Sequence, residues 1–405
     1  MSGVLSLSTY PIKKPRHGGQ RRITAFAEFY RSIGLDFHYA CIFEPANYSN
    51  EDVGADDLPL GGQDREFGDL PFVGDLLSGR FAGESDVALE HFASLIARLK
   101  PEIVQLDHPF LWPLVARLRS EGRYTGKVIY SSHNYEAPLK ESILHSVGVS
   151  QAKVRLVREA IVELERACVL GSDLIVTVSE SDALQYRAMA PAGAAIRVMP
   201  NGVDRMRAPS AKAVSEVRSI FGDKRFCLFV GSAYPPNIEG FAELVAKGGL
   251  FFTPPEKSFA VCGGVSRGIF NSREYGRFVV PNSDRVHFFP DIDDEGLNAL
   301  KALAHVILLP IEFGGGSNLK TAEALVSGKH IVATPTALRG FEGFANAVGI
   351  DYAGDARGFR AGIMRALNAP ALVLSAAELA ARDVLYWDKA FINSAIAADV
   401  AKLLA

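Results

Sequence analysis

In the first half of the chain, short runs of apolar and β-branched residues alternate with stretches whose apolar positions recur every three or four residues. Residues 4–8, 37–43, 103–106, 128–131 and 174–178 read as strands. Residues 21–33 predict a helix with Ile23, Phe26, Ala27 and Tyr30 on one face, stopped by Gly34. Residues 151–170 predict a long helix whose apolar positions Val154, Val157, Ile161, Leu164 and Cys168 form one buried stripe. Between them, residues 44–84 are rich in Gly, Asp, Asn and Pro and read as an irregular excursion.

The pattern breaks at residues 198–204, where MPNGVD interrupts regular structure, and a second alternating series follows. Its strands are expected at 226–230, 258–261, 286–289, 306–309 and 330–333, and its helices at 238–247, 295–304, 319–327 and 357–366. Strand–helix alternation implies parallel sheets covered on both faces with right-handed crossovers. The expected class is therefore α/β, with two doubly wound, Rossmann-like domains facing across a cleft, and ligands at the carboxyl ends of the strands. The boundaries expected are 1–204, 205–385 and a final amphipathic helix over 386–405 with Phe391, Ile392, Ile396, Val400 and Leu403 on its buried side.

A length of 405 residues suits two domains. With 43 Lys plus Arg against 46 Asp plus Glu, the formal charge is −3, which argues against a general nucleic-acid coat. No uninterrupted apolar run reaches the roughly 18 residues of a spanning helix. The N-terminal segment places its apolar residues ahead of its charges, the reverse of a signal peptide. The four cysteines (Cys41, Cys168, Cys227, Cys262) show no C-x-x-C spacing, against both a disulfide framework and a zinc site. These features predict a soluble cytoplasmic protein.

The candidate chemistry concentrates in VILLPIEFGGGSNLKTAEALVSGKHIVATPTALRG, residues 306–340. An apolar strand ends at Pro310, and Gly314, Gly315 and Gly316 follow. Ser317 is the expected N-cap, with a helix from Asn318 that carries Lys320 and Glu323 three residues apart. Glycines permit close backbone approach, a helix start carries about half a positive charge, and Lys320 adds a full one. A diphosphate fits that combination; so does a solvated Lys–Glu pair on a helix behind a loose loop. The Gly18–Gly19 pair precedes the first predicted helix, as a phosphate-facing loop or as a plain turn. Lys13, Lys14, Arg16, Arg21 and Arg22 make this region basic, which suits an anionic ligand or a solvated rim equally. His133 ends the strand 128–131, and Asp107 and His108 end a neighbouring one. Asp291, Asp293 and Asp294 precede a helix, where carboxylates serve as caps, so no metal is expected.

In order and spacing, HGG (17–19), SSHNYE (131–136), VTVSESD (176–182), MPNGVD (199–204), FVGSAYPPN (229–237) and the GGGSNLKTAEALVSGKHIVATPTALRG segment resemble the retaining glycosyltransferases of family 4, which have the GT-B fold. The resemblance runs over most of the chain, from about residue 4 to 405. It implies metal-independent transfer of a sugar from a nucleotide-sugar to a glycan or lipid-linked acceptor hydroxyl, in bacterial surface polysaccharide synthesis. The nucleotide-sugar is substrate; no cofactor and no nucleic acid is implied. The protein would work at the cytosolic face of the inner membrane with peripheral membrane contact.

By position, the resemblance gives Lys320 and the amides of Gly316, Ser317 and Asn318 to the nucleotide diphosphate. It gives Glu323 to the ribose, Gly18 and Gly19 to the donor, and His133 to the transferred sugar. Gly315 stands where the family's E-x7-E motif has its first glutamate, and Glu312, off register, is the candidate replacement. The family's donor-site arginine is also missing, with SAYPPN at 232–237 in its place. The rival readings are a sugar-nucleotide epimerase or phosphorylase of the same fold, and a nucleotide-sugar-binding protein without catalysis.

Overall fold

The computed structural model describes residues 3–405; Met1 and Ser2, included in the first predicted domain, lie outside the described residues. The chain forms two compact units. The first comprises the described residues up to Asn201 with Gly315–Ser317 and Trp387–Ala405, the second Gly202–Gly314 and Asn318–Tyr386.

The first unit is built on a seven-stranded sheet: β1 (Gly3–Ser8), β2 (Asp36–Phe43), β3 (Leu58–Pro59), β4 (Ile103–Leu106), β5 (Lys127–Ser131), β6 (Leu174–Thr177) and β7 (Ile196–Val198), in the order β3-β2-β1-β4-β5-β6-β7. Every pairing is parallel, with Val4 opposite both Phe37 and Ile103. The central strands β1, β4 and β6 are buried along their whole length, which is why they read as unbroken apolar runs and not as alternations. The order steps outward from β1 in both directions, so the turns after β1, β4 and β5 leave side by side from one edge of the sheet.

The second unit carries β8 (Phe226–Val230), β9 (Ser258–Cys262), β10 (Val286–Phe289), β11 (Val306–Leu309), β12 (His330–Ala333) and β13 (Ile350–Tyr352), ordered β10-β9-β8-β11-β12-β13 and again parallel throughout. Both sheets agree with the doubly wound α/β expectation.

Four expectations need correction. The stretch 44–84 is not irregular to its end, since Gly74–Glu84 is a helix. Its Gly79 sits where a β-carbon would lie 2.2 Å from the Phe110 carbonyl oxygen, so this glycine serves close packing, not a turn. In the helix Gln151–Gly171, the stripe includes Glu165, fully buried, while Leu164 is only half-buried. The predicted helix 238–247 starts earlier, at Pro235, and gives way after Phe241 to a π turn over Ala242–Ala246. Prolines at its first two positions suit a first turn, where no intrahelical N–H bond is lost.

The terminal segment is two helices, Trp387–Asn393 and Ile396–Leu404, broken where Ala395 adopts φ 57°. They belong to the first unit. Phe391 stacks on Phe29 at 4.3 Å and meets Phe26 edge-on at 5.0 Å, and Arg197 Nη2 donates to Asp399 Oδ1 at 3.0 Å. Ile396 and Val400 are buried, but Ile392, expected on the buried side, is 70% exposed, since Trp387 and Phe391, four residues apart, form the buried face of its helix. We predict that Phe391→Ala destabilises the protein by about 3–5 kcal/mol in urea titration, while Ile392→Ala stays within about 0.5 kcal/mol of the parent.

Candidate functional site

In the second unit, β8 and β11 are neighbours, and the turns after them bring two distant segments together. After β11 the chain runs through Pro310 and the three glycines into the helix Leu319–Val326. Asn318, not Ser317, is the N-cap: its Oδ1 accepts from the Lys320 amide at 3.1 Å. Ser317 is engaged elsewhere, its Oγ accepting from the Asn201 amide at 3.0 Å and its carbonyl from Asn201 Nδ2 at 2.8 Å.

Lys320 lies in the first turn of this helix. Its Nζ donates to Asn237 Oδ1 at 2.7 Å and sits 6.0 Å from the centre of the Phe229 ring. Asn237 is buried in the helix Pro235–Phe241 and is itself held by bonds from its Nδ2 to the Ser232 carbonyl at 3.0 Å and hydroxyl at 3.3 Å. The SAYPPN segment, where the resemblance leads one to expect an arginine, thus supplies the acceptor that fixes the lysine. Gly240 makes this contact feasible, because a β-carbon there would fall 1.7 Å from the Pro310 carbonyl oxygen and push the two turns apart. Burial lowers the Lys320 ammonium to about 8, against the opposing pull of Glu323. Asn237 carries no charge and lies 83 residues away in sequence; the run Pro-Pro-Asn at a strand end was its only signal.

Glu323 Oε2 accepts from Lys301 Nζ at 2.8 Å, so its carboxylate is anchored from the helix Asp294–Leu303. Glu312 is exposed, with Glu243 and Lys247 as its charged neighbours, and partial burial next to Glu243 raises its carboxyl. Asp293 caps its helix, its Oδ1 accepting from the Gly296 amide at 2.8 Å, and Asp291 pairs with Arg267 at 2.5 Å. Among the described residues, no group of three or more His, Cys, Asp and Glu gathers to hold a metal ion.

Gly315 and Gly316 belong with the first unit. Gly316 has φ 61°, and a β-carbon there would lie 2.3 Å from the His133 carbonyl oxygen, so both backbone shape and space demand glycine. At Gly315 a β-carbon would sit 3.1 Å from Asn134 and Leu139 atoms.

His133 follows β5, and its neighbours follow β1 and β4. Its Nδ1 is 3.2 Å from the Tyr10 hydroxyl, which is also 3.3 Å from His108 Nε2. Burial, with His108 and Arg22 nearby, drives the His133 imidazole well below its usual range, and burial brings His108 to about 4. Asp107, fully buried, accepts from Ser6 and from Gln105 Nε2 at 2.7 Å, and burial raises it to about 7. Gly18 and Gly19 are not a loop before the helix but the first two residues of Gly18–Ser32. Arg22, read as part of a basic rim, is instead buried. Its Nη1 donates to the Met199 carbonyl at 3.1 Å and to Asn201 Oδ1 at 3.2 Å, and its Nε and Nη2 have no hydrogen-bond partner among the described residues. Of the remaining rim, Lys14 pairs with Glu51 and Arg16 with Asp52.

Glu165, missed in the sequence, orients the segment that bears His133. Its Oε1 accepts from the Glu136 amide at 2.6 Å and its Oε2 from the Ala137 amide at 3.3 Å, at the start of the helix Glu136–Ser146. Burial raises its carboxyl to about 8. A Glu at stripe spacing inside Val157, Ile161 and Cys168 was the available signal.

Residues 17–207 match the model of Glycosyltransferase Family 4. No curated protein sequence matches the chain. Among solved structures, the fold is similar to sucrose-phosphate synthase from Thermosynechococcus elongatus (16% identity, TM-score 0.75, 100% of both chains). It is also similar to Anabaena HepE in complex with UDP and glucose (14% identity, TM-score 0.64, 99% of this chain and 100% of that one). A third is an α,α-trehalose-phosphate synthase from Burkholderia xenovorans in complex with glucose-6-phosphate (15% identity, TM-score 0.64, 100% of both). Among the described residues no helix is long and apolar enough to cross a membrane.

The bond from Lys320 to Asn237 favours the charged amine. Asn237→Ala is therefore expected to lower the Lys320 pKa further, by about one unit, in a carbon-detected NMR titration of the lysine side chains.

Proposed function

We propose, from the match of residues 17–207 to the Glycosyltransferase Family 4 model and from the GT-B-like fold, that the chain is a glycosyltransferase that moves a sugar from a nucleotide-sugar to an acceptor hydroxyl with retention at the anomeric carbon and without a metal ion. The observation that carries the reading is the half-buried Lys320 ammonium in the first turn of Leu319–Val326, gripped by Asn237. As the sugar departs, negative charge grows on the diphosphate. A fixed ammonium and the partial charge of a helix start stabilise that charge without reorganising when the bond breaks. In this reading the ion supplied elsewhere by a metal is supplied by Lys320, Glu323 held by Lys301 meets the ribose hydroxyls, and His133 meets the transferred sugar.

UDP is the base to test first, since HepE was solved with UDP and glucose. For the acceptor, the Burkholderia synthase carries glucose-6-phosphate, a sugar phosphate. The proposal for this chain is a glycan or lipid-linked hydroxyl in bacterial surface polysaccharide synthesis, met peripherally at the cytosolic face of the inner membrane.

Lys320→Ala is expected to lower turnover by about 10²–10³, the effect of losing one preorganised donor to a developing anion. Folded Lys320→Ala protein with near-parental turnover overturns the role. Consumption of the nucleotide-sugar without any acceptor would instead indicate an epimerase.

The proton on Lys320 gives a second check. The ammonium is present below about 8 and lost above it. UDP affinity measured by calorimetry should therefore be highest near pH 7 and weaken as pH rises through 8 and beyond. The midpoint should move upward in the complex, because bound phosphate favours the charged amine. Lys320→Met should show weak binding with little change across the same interval.

A further inference from the structure

Three adjacent parallel strands, β1, β4 and β5, deliver Tyr10, His108 and His133 to the same edge of the first sheet. The Tyr10 hydroxyl lies between the two imidazoles, 3.2 Å from His133 Nδ1 and 3.3 Å from His108 Nε2, and His108 Nδ1 is 3.4 Å from Ser8 Oγ. The two rings meet at 63° with centroids 4.6 Å apart. At the far end of this chain, His133 Nε2 is buried without a hydrogen-bond partner among the described residues. Gly19 keeps the arrangement open, since a β-carbon there would lie 2.1 Å from the Tyr10 oxygen and 3.1 Å from His133 Nδ1.

A phenol has one proton and each neutral imidazole has one, so a row in which Tyr10 donates to one ring and accepts from the other runs in one of two directions; the remaining arrangement has Tyr10 accept from both rings and turn its proton to Ser8, which also lies within hydrogen-bond reach. In one direction, Ser8 donates to His108 Nδ1, His108 Nε2–H donates to Tyr10, and Tyr10 donates to His133 Nδ1. In the other every bond reverses. The first leaves both imidazoles protonated on Nε2, the tautomer a neutral imidazole prefers intrinsically; the second forces both onto Nδ1. Burial keeps His108 and His133 neutral at neutral pH and holds the Tyr10 phenol protonated, so neither direction is disturbed by ionisation. The other titratable groups around the cluster are Arg22, Asp107, His17, Glu136, Asp75, Lys140 and Tyr48.

We propose that Tyr10 is a positioning residue that donates to His133 Nδ1 and thereby presents His133 Nε2–H as a fixed hydrogen-bond donor to an oxygen of the transferred sugar. The inference rests on the reading of His133 as the sugar contact. It adds to that reading the proton on His133 and the group that fixes it, a relation in which second-layer hydrogen bonds set which ring nitrogen is the donor.

The test is nitrogen-15 NMR of the histidine side chains in the whole protein. Parent protein should show His133 as the Nε2–H tautomer, and a His133 protonated on Nδ1 overturns the proposal without any variant being needed. In Tyr10→Phe the single tautomer should give way to a mixture, kcat should fall about tenfold, the net worth of one hydrogen bond, and the donor KM should stay within about twofold. Gly19→Ala, which displaces the Tyr10 hydroxyl without removing it, should likewise give a mixture of tautomers in the same spectra; its donor KM is not a readout, since Gly19 is itself a candidate donor contact. An unaltered tautomer in both variants, or an altered one with parental kcat, overturns the positioning role. His133→Ala separates the two layers: full turnover there sinks the sugar-contact reading itself, whereas lost turnover with the parent tautomer on Nδ1 sinks only the inference about Tyr10.

Discussion

A lysine ammonium taken partly out of water is the tension on which the second unit's chemistry rests. Burial lowers its pKa from the ordinary 10.5 to about 8, which means that the surroundings disfavour the charge they hold. The Asn237 amide oxygen offsets part of that cost, and the Phe229 ring face lies 6.0 Å off. Neither is an anion, and Glu323 is committed to Lys301. Glu323, held by Lys301, offsets only part of the burial, and in the proposed reading the counter-charge still lacking is what an anionic ligand brings. Had Lys320 been locked to Glu323, as i,i+3 spacing allows, the ammonium would have been satisfied already and worth little to a phosphate.

At 232–237, where the resemblance expects a cation, the chain places a neutral partner for Lys320. An asparagine fixes the ammonium in place without adding charge. The cost is structural: the turn after β8 must approach the turn after β11 closely enough for a 2.7 Å bond, and that approach needs Gly240 against the Pro310 carbonyl. Asn237 and Gly240 are three residues apart on one short helix, so a single segment supplies both the grip and the room for it.

How far the sequence revealed this depends on whether a signal was local. Strands such as Phe226–Val230 and Val306–Leu309 were legible to the residue, because nearly fully buried parallel strands are apolar without interruption and here end at Gly or Pro. The helix Gly74–Glu84 was hidden because three of its eleven residues are glycines, read as turn formers when at least Gly79 is there to let Phe110 come close. The cation at a helix start was legible, since glycines, cap and lysine are contiguous. Its partner was not: nothing in Pro-Pro-Asn states that its amide reaches Lys320. The same holds for Tyr10, His108 and His133, which no spacing rule connects and which meet only because β1, β4 and β5 are neighbours. Glu165 shows the converse error, a charged residue discounted in an apolar stripe because its partners are backbone amides of another helix.

The absent first glutamate of the family's motif follows from the same crowding. At Gly315 any β-carbon would come within 3.1 Å of Asn134 and Leu139, and at Gly316 the backbone itself needs φ 61° against the His133 carbonyl. A glutamate at 315 would have to displace the residue next to His133, in a segment whose amides Glu165 holds fixed. The exposed Glu312 is no geometric substitute, since its charged neighbours are Glu243 and Lys247 and not the Lys320 ammonium. The glycine loop therefore has close backbone packing where the resemblance expects a side-chain carboxylate. That is the physical reason to look to the Tyr10–His108 pair, and not to a relocated carboxylate, for control of the histidine.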